Sequence, residues 1–303
     1  MEEKRCPARP DGLIDMILDT DTYNEIDDQF AVAYMLAAPE RLRVRAICAA
    51  PFHNEKSTGP ADGMEKSYQE ILKLLRLARR EELSPLVYRG SERYLPDEST
   101  PVDSPAARAI VRIAMEYSPE RPLYIVSIGA ITNVASALLL APEIARRVVI
   151  VWLGGNALHW PRNDEFNMMQ DVAAARIVFG GAAPLVQLPC AGVVTEARVT
   201  GPELIHWLRG RSALCDYLCD HTIQEAEAYA AGTAWSRVIW DVTAVAWLLD
   251  TEGKILADRP EHSPVPQYDH RYSFDPERPL IRYVWRVDRD ALFTDLFQRL
   301  ARL

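Results

Sequence analysis

Short apolar runs alternate along the first two thirds of the chain with longer segments of helical spacing. The apolar runs are residues 13–19, 43–51, 122–129, 146–155 and 183–190. Near-continuous apolar strands separated by helices are typical of a parallel sheet that is covered by helices on both faces. The pattern therefore predicts an α/β fold built on a doubly wound, mostly parallel Rossmann-like sheet.

The pattern becomes mostly helical after about residue 200. Helical spacing covers residues 201–210, 212–232 and 241–250. An irregular Pro- and His-rich stretch (258–280) follows, and the chain ends with one strand-like run (280–287) and an amphipathic helix. These patterns predict a helical C-terminal section.

Length and composition are those of one large α/β domain. The chain has 303 residues, of which 49% are hydrophobic and 25% charged, ordinary values for a globular protein with a large core. We find no internal repeat, low-complexity tract or linker. We therefore expect a single domain over residues 1–303, with its core in residues 13–250 and a C-terminal extension in residues 251–303.

The charge balance limits the classes of partner. A formal net charge of −9 without a long basic cluster argues against nucleic acid or an anionic membrane as a partner. The N-terminal residues lack the apolar core of a signal peptide, and no apolar run is long enough to span a bilayer. The five cysteines show no disulfide spacing, so we expect a cytoplasmic protein.

Polar residues follow the carboxyl ends of four predicted strands. An acidic cluster follows the first strand, residues 52–54 follow the second, residues 129–133 the third and residues 154–167 the fourth. In an open parallel sheet the strand-to-helix loops meet at this edge, and ligands bind there. The sequence thus predicts a binding site or active site at the carboxyl edge of the sheet.

The acidic cluster comprises Asp19, Asp21, Glu25, Asp27 and Asp28. Capping and the helix dipole explain one or two acidic residues at a helix start, but not the aspartates on the strand side of the same loop. A hard divalent cation with oxygen ligands would offset the repulsion between these carboxylates. The loop does not fit an EF-hand, and no Cys/His set of zinc type lies nearby, so we expect Ca²⁺ or Mg²⁺.

Two enzyme families place Asp-x-Asp after a first strand. In the haloacid dehalogenase superfamily, Thr or Val follows two residues after the second Asp, whereas this chain has Tyr23 there. A phosphatase of that type is therefore a minor alternative. The nucleoside hydrolases begin with Asp-x-Asp-Pro-Gly-x-Asp-Asp, which Asp19, Asp21, Asp27 and Asp28 resemble. Later blocks resemble the same family in the right order, at residues 127–138, 150–155, 164–179 and 240–249.

The resemblance to the inosine/uridine-preferring nucleoside hydrolases implies a ribonucleoside N-glycosidase that depends on calcium (Ca²⁺), with Mg²⁺ less favoured. Asp21 would be the general base, taking a proton from a metal-bound water that attacks the anomeric carbon. The metal ligands would be Asp21, Asp28, Asp241 and the backbone carbonyl of Thr132. A nest of carboxylates also suits the oxocarbenium-like state through which an N-glycosidic bond breaks.

The resemblance also implies how a ribonucleoside substrate is held. Asp27 and Asn167 would bind the 2′- and 3′-hydroxyls of ribose, and Glu165 and Asn54 would hold the sugar further out. Asp19 would support the site from behind these residues. A homodimer or homotetramer is implied by the family alone.

Two departures from the family affect the walls of the site. The acidic loop is two residues longer than the family's compact turn and lacks Pro-Gly, so Tyr23, Asn24 and Glu25 reshape the site or its entrance. The loop before the Glu-Phe-Asn block also differs. His159 or Asn163 would take the role of the family's Asn there, and the sequence does not choose between them.

A third departure affects the leaving group. Many members have a His directly before the late Asp, but here that residue is Trp240, whose indole N–H cannot act as a general acid near neutral pH. We hypothesise that Trp240, Trp235 or Tyr229 holds the base by stacking. The missing His also motivates a second hypothesis, a non-catalytic ribose- or nucleoside-binding relative.

Overall fold

The computed structural model describes residues 6–181 and 183–303, and a long β-sheet forms its centre. The strands, in chain order, are β1 (Ile14–Thr20), β2 (Leu42–Ala49), β3 (Val87–Arg89), β4 (Leu123–Ser127), β5 (Val148–Leu153), β6 (Leu185–Leu188), β7 (Arg198–Val199), β8 (Arg237–Val238), β9 (Leu256–His262), β10 (Val265–Pro266), β11 (Tyr272–Ser273) and β12 (Leu280–Val287). The main sheet has the order β3-β2-β1-β4-β5-β6-β12-β9. Among the described strands of this main sheet, only β12 and β9 pair antiparallel, so the predicted mostly parallel sheet is confirmed.

Helices cover both faces of this sheet. They are α1 (Ile26–Leu36), α2 (Pro60–Leu77), α3 (Pro105–Ala114), α4 (Thr132–Leu140), α5 (Phe166–Gln170), α6 (Val172–Phe179), α7 (Gly201–Leu208), α8 (Ala213–Ala230), α9 (Val242–Leu249) and α10 (Arg289–Leu300). Along β1, Met16 and Leu18 pack in a core with α1, α2 and α9, whereas Ile17 packs in a second core with α3, α4 and α6. Apolar residues on both sides of each strand follow from this double burial.

The strand order places the first loop of the chain at the centre of the sheet edge. β1 lies between β2 and β4, and both pairs are parallel. The chain therefore leaves β1 toward one side for β2 and crosses to the other side for β4. Such a reversal of direction opens a crevice at the carboxyl ends of the two central strands. The acidic loop after β1 and the loop after β4 both border this crevice.

The C-terminal section contributes more strand than predicted. β12 pairs with β6 and β9 pairs with β12, so both complete the main sheet rather than form a separate extension. Residues 258–262 of β9 lie in the stretch that sequence patterns assigned as irregular. Its outer face is exposed and it contains Pro260, which is tolerated only because β9 is an edge strand. Because most side chains of β9 are polar and it contains proline, its sequence pattern does not predict a strand.

None of the helices described in residues 6–181 and 183–303 combines the length and apolar character that crossing a membrane requires.

Candidate active site

Three buried aspartates meet at the carboxyl edge of the sheet. Asp27 and Asp28 lie in the first turn of α1, and Asp241 directly precedes α9. One carboxylate oxygen from each lies within 4.8 Å of the others. The Asp241 side chain makes no capping hydrogen bond to α9, so helix capping does not account for it. The three carboxylates instead face one another, as a shared cation would require.

Asp21 is a fourth buried carboxylate beside this group. Neither of its oxygens has a hydrogen-bond partner among the described residues, although the side chain is about 1% exposed. Gly129, in the loop after β4, allows this carboxylate to fit, because a Cβ there would lie 2.8 Å from Asp21 Oδ1. A buried, unpartnered carboxylate is costly, so its retention indicates a ligand or a chemical role.

Burial and mutual repulsion shift the pKa of all four groups upward. Burial raises the pKa of Asp21 well above its ordinary value, and the charges of Asp28 and Asp27 add to the rise. The same two causes raise the pKa of Asp27 and Asp241, and the pKa of Asp28 rises to about 7 despite a hydrogen bond from Thr20. Among the described residues, only Asp27 has a positive charge nearby that opposes the rise, that of Arg237, and burial and the neighbouring carboxylates outweigh it.

A divalent cation fits this arrangement. Both oxygens of Asp21 and one of Asp27 are buried without a partner in the part of the chain that the structure describes. Hard cations take several carboxylate oxygens, and their charge offsets the repulsion that raises these pKa values. No zinc-type nitrogen or sulfur donor belongs to the group of Asp27, Asp28 and Asp241. The donors are all oxygen.

Asp19 lies behind the cluster, within hydrogen-bonded surroundings. Its two oxygens accept hydrogen bonds from Asn133 Nδ2 at 2.8 Å and Ser127 Oγ at 3.0 Å. Burial raises the pKa of Asp19 to about 7, while these two bonds oppose the rise. Asn133 also donates to the backbone carbonyl of Ala49, so this residue links β1, β2 and α4. Through these hydrogen bonds Asp19 fixes the loops around the site.

A cavity of about 430 Å³ opens at this edge of the sheet. Seven of the residues predicted for the site line it, namely Asp27, Asp28, Asn54, Glu165, Asn167, Trp240 and Asp241. Trp240 is partly buried and immediately precedes Asp241 of the buried aspartate group. Trp235 and Tyr229, the other aromatic candidates, are not part of the lining.

Glu165 and Asn167 are held in place by backbone groups. Glu165 Oε1 accepts from the N–H of Asn167, and Oε2 accepts from the N–H groups of Met168 and Gly155 at 2.9 and 2.7 Å. Asn167 Nδ2 donates to the carbonyls of Ile128 and Leu153, at the ends of β4 and β5. The carboxylate thus caps α5, and the Asn167 amide bridges two strand ends. The Asn167 oxygen stays available for a ligand.

Four predicted residues are not part of the cavity lining, namely Asp19, Asp21, Thr132 and His159. His159 is exposed, with its ring centroid 6.5 Å from that of Trp160, so its predicted part in substrate binding is not supported by this placement. Thr132 begins α4, and its hydroxyl donates to Asp171 at 2.7 Å. The predicted role of its backbone carbonyl as a metal ligand stays a prediction.

Asn163, the alternative to His159, has a structural role. Asn163 is buried, and its side-chain oxygen accepts from the backbone N–H of Asn156 at 2.7 Å. Asn156 itself lines the cavity and was missed by sequence reasoning, as was Cys190. Asn156 follows the Gly-Gly at the end of β5, and Cys190 follows β6. The rule that ligands bind at strand ends could have identified both residues.

The longer acidic loop forms one wall of the cavity. Asn24 and Glu25 line it, whereas Tyr23 is 40% exposed and packs near Lys66. Asn54 Nδ2 donates to Asn24 Oδ1 at 2.7 Å, and Lys56 Nζ donates to the Asn24 carbonyl at 2.8 Å. The insertion is therefore fastened to the loop after β2.

A partly buried arginine fastens the same loop from the other side. Arg237 Nη2 lies 3.1 Å from a carboxylate oxygen of Glu25 and 4.0 Å from one of Glu225. The Arg237 side chain is only 17% exposed. It therefore connects the acidic loop to β8 and α8, and it lies three residues before Trp240 in the chain.

Known proteins share this sequence and this architecture. The non-specific ribonucleoside hydrolase RihC of Salmonella newport (strain SL254) is 30% identical over 251 residues, which cover 78% of this chain and 79% of that protein. The solved purine-preferring ribonucleoside hydrolase from Gardnerella vaginalis has a TM-score of 0.76 and 22% identity, covering 95% of this chain and 98% of that one. A plant nucleoside hydrolase, PpNRh1, has a TM-score of 0.73 and 22% identity, covering 96% and 99%.

The family model of inosine-uridine preferring nucleoside hydrolases matches residues 16–293. The match continues past residue 250, where the sequence motifs alone stopped, and includes both C-terminal strands of the main sheet. The chain therefore belongs to the family of inosine-uridine preferring nucleoside hydrolases, which are N-ribohydrolases.

Proposed function

We propose that this protein hydrolyses ribonucleosides to ribose and free base with Asp21 as the general base and with Ca²⁺ held by Asp21, Asp28, Asp241 and the carbonyl of Thr132. The observation that carries the proposal is the set of buried carboxylate oxygens, on Asp21 and Asp27, that have no hydrogen-bond partner among the residues the structure describes. Membership of the nucleoside hydrolase family removes the haloacid dehalogenase alternative. Mg²⁺ is the second choice of metal.

Asp21 is suited to accept a proton. Without a bound cation, burial and neighbouring carboxylates raise its pKa, and no hydrogen bond from a described residue occupies its oxygens. A bound divalent cation would lower the pKa of water and orient it. The water oxygen would form a bond to C1′ of ribose while the bond from C1′ to the base nitrogen breaks, and the water proton would pass to Asp21. The bonding electron pair would leave with the base nitrogen, which takes a proton from the surrounding water to give the free base.

The surrounding carboxylates stabilise the positive charge that develops on the sugar. Asp27, Asp28 and Asp241 are buried, where electrostatic interactions are stronger than in water. We assign Asp27 and Asn167 to the 2′- and 3′-hydroxyls of ribose. Glu165 and Asn54 would bind the sugar further out, because both line the same cavity.

Trp240 is proposed to hold the base. It lines the cavity beside Asp241, and its indole offers a flat apolar face against which an aromatic base can stack. If Trp240→Ala leaves the turnover of the preferred nucleoside unchanged, Trp240 has no such role.

The direct test measures reducing sugar released from a panel of purine and pyrimidine ribonucleosides. We expect release with Ca²⁺ present, and loss of release after a chelator that Ca²⁺ restores. Calorimetric titration with Ca²⁺ gives a readout besides activity, and Asp241→Asn should weaken the measured binding while the surface variant Asp103→Asn does not. Tight Ca²⁺ binding without release from any nucleoside would instead favour the non-catalytic relative.

A homodimer or homotetramer is proposed from the family alone. Light scattering on the purified protein measures the number of chains per particle.

A further inference from the structure

The asparagines that line the cavity differ in how many of their amide N–H groups are free. Asn167 Nδ2 donates to two backbone carbonyls, and Asn156 Nδ2 donates to the Arg162 carbonyl at 3.1 Å. Asn54 Nδ2 donates to Asn24 Oδ1 at 2.7 Å. Asn24 Nδ2 donates to no group among the described residues, although Asn24 lines the same cavity. Within the described part of the chain, Asn24 is therefore the lining asparagine with both N–H groups available for a ligand.

Neighbouring donors fix which end of the Asn24 amide faces the cavity. The backbone N–H of Lys56 can only donate, and it lies 2.9 Å from Asn54 Oδ1, so the oxygen of the Asn54 amide is on that side. The other end of the Asn54 amide is then Nδ2, which requires an acceptor on Asn24. Oδ1 of Asn24 meets this requirement. The hydrogen bonds therefore leave Nδ2 of Asn24 on the side away from Asn54, free to face the cavity.

The backbone of Asn24 is held as well. Its N–H donates to the Asp21 carbonyl at 2.7 Å and closes a turn, and its carbonyl accepts from Lys56 Nζ at 2.8 Å. Lys56 Nζ in turn lies 2.7 Å from a carboxylate oxygen of Glu225 on α8. A donor that is fixed before binding loses little conformational entropy when a ligand arrives. The Asn24 amide is thus preorganised for donation into the cavity.

The ribose hydroxyls need donors that the carboxylates of the site do not supply. A hydroxyl group donates one hydrogen bond and has two acceptor lone pairs, whereas an ionised carboxylate only accepts. Asp27, assigned above to the 2′- and 3′-hydroxyls, can accept their hydrogen bonds but cannot donate to their oxygens. Asn167, the other residue assigned to them, uses both N–H groups on backbone carbonyls. The contacts assigned so far therefore leave the oxygens of the ribose diol without an N–H donor.

From these observations, and resting on the function proposed above, we propose that Asn24 binds the substrate directly and donates a hydrogen bond from Nδ2 to an oxygen of the ribose 2′,3′-diol. Asn24 precedes Asp27 by three residues in the same loop, and both line the cavity. Asp27 accepts the hydrogen bond of the hydroxyl, and Asn24 donates to its oxygen. Asn24 belongs to the segment that makes the acidic loop longer than the family's compact turn, so this contact is a feature of the present chain.

Binding of a nucleoside that cannot be hydrolysed tests the contact. In 9-deazainosine a carbon–carbon bond joins ribose to the base, so the Ca²⁺-loaded protein should bind it without cleavage. Calorimetry should give a Kd about tenfold higher in Asn24→Ala than in the wild type. For whichever of the 2′-deoxy and 3′-deoxy analogues lacks the contacted oxygen, the same substitution should change the Kd by less than about twofold. Tyr23→Ala is the matched control from the same segment, because Tyr23 lies outside the cavity lining, and it should keep the wild-type Kd.

Asn24→Asp separates hydrogen-bond donation from support of the loop. Its carboxylate still accepts from Asn54 Nδ2 but has no N–H, so the Kd for 9-deazainosine should rise at least as much as in Asn24→Ala. Calorimetric titration of the nucleoside-free protein with Ca²⁺ should show no weakening of Ca²⁺ binding in either variant. A residue that only held the loop of Asp27 and Asp28 in place would weaken both kinds of binding.

Three results would overturn the proposal. The first is a raised Kd in Asn24→Ala with a wild-type Kd in Asn24→Asp, and the second is weaker Ca²⁺ binding in both variants, since either makes Asn24 a support of the loop. The third is an equal loss for 9-deazainosine and both of its deoxy analogues, which would place the contact outside the ribose diol. All three leave the hydrolase function intact, whereas absence of ribose release from inosine by the wild type contradicts the proposed function itself.

Discussion

Strand β1 carries a buried aspartate near each end, and the two have opposite surroundings. Near the amino end, Asp15 accepts hydrogen bonds from Arg43, and from Arg121 Nη2 at 3.1 Å. Beyond the carboxyl end, Asp21 has no hydrogen-bond partner among described residues and lies beside Asp27 and Asp28. Both residues have little solvent exposure, although Asp15 is covered mainly by two arginines that are themselves half exposed or more.

The pKa values of Asp15 and Asp21 are shifted in opposite directions because of these surroundings. Burial alone would raise the pKa of Asp15, but the hydrogen bonds from Arg43 and Arg121 outweigh it and hold the pKa below its ordinary value. Burial raises the pKa of Asp21, and the neighbouring carboxylates raise it further. A carboxylate with cationic partners stabilises the fold, whereas one without them needs a ligand from outside the chain. The comparison therefore separates a structural aspartate from a functional one.

The largest effect is expected from Asp21→Asn. The amide cannot accept the water proton, so ribose release should fall by about a thousandfold. Without added metal, the free energy of unfolding should rise or stay constant, because a buried charge without a partner is removed. Assays with saturating nucleoside and urea denaturation measure the two quantities. A clear loss of stability in the metal-free protein would show that Asp21 is structural, like Asp15.

A smaller loss is expected from Gly129→Ala. The added Cβ would lie 2.8 Å from Asp21 Oδ1, so the carboxylate must move while its chemistry is unchanged. Displacement of a catalytic group by about an ångström lowers the rate by about tenfold to a hundredfold. Steady-state kinetics should show this mainly in kcat. Wild-type kcat in Gly129→Ala would mean that the position of Asp21 is not critical.

The sequence allowed most of the fold to be predicted. Five apolar runs predicted β1, β2, β4, β5 and β6, because parallel strands buried on both faces are nearly continuous in apolar residues. β3 and β9 were missed, since β3 is three residues long and β9 is a polar edge strand. Local patterns describe burial well and strand pairing at a sheet edge poorly.

The site was predictable to a smaller extent. Asp21, Asp27 and Asp28 follow from the rule that ligands bind at strand ends. Asp241 lies far along the chain, and only the family resemblance joined it to them. The pairing of Glu25 with Arg237, and the exposed position of His159, depend on tertiary packing that no local spacing encodes.

At the other end of β1, Asp15→Asn should cost stability but not activity. Removing the charge weakens the hydrogen bonds from Arg43 and Arg121, and both arginine side chains are half exposed or more, so we expect a loss of about 1–2 kcal/mol in the free energy of unfolding. Asp103→Asn, which breaks a surface pair with Arg108, is the control and should cost less. A loss of activity per folded molecule in Asp15→Asn would contradict the assignment of a structural role to Asp15 and a functional role to Asp21.

The smallest expected effect is the pH dependence of the difference in the free energy of unfolding between the wild type and Asp15→Asn. The pKa of Asp15 is lowered in the folded protein, so the unfolded state binds its proton more readily. The stabilisation is therefore fully present above the unfolded pKa of about 4 and is lost as the pH falls through the folded value. Urea denaturation of the wild type and Asp15→Asn between pH 7 and about pH 3 should show a constant difference above pH 5 that shrinks below pH 4. If the stability difference between the wild type and Asp15→Asn grew on acidification, the Asp15 carboxyl would be held protonated in the folded protein. That behaviour is expected of Asp21 without metal. The arginines would then not be what distinguishes the two aspartates.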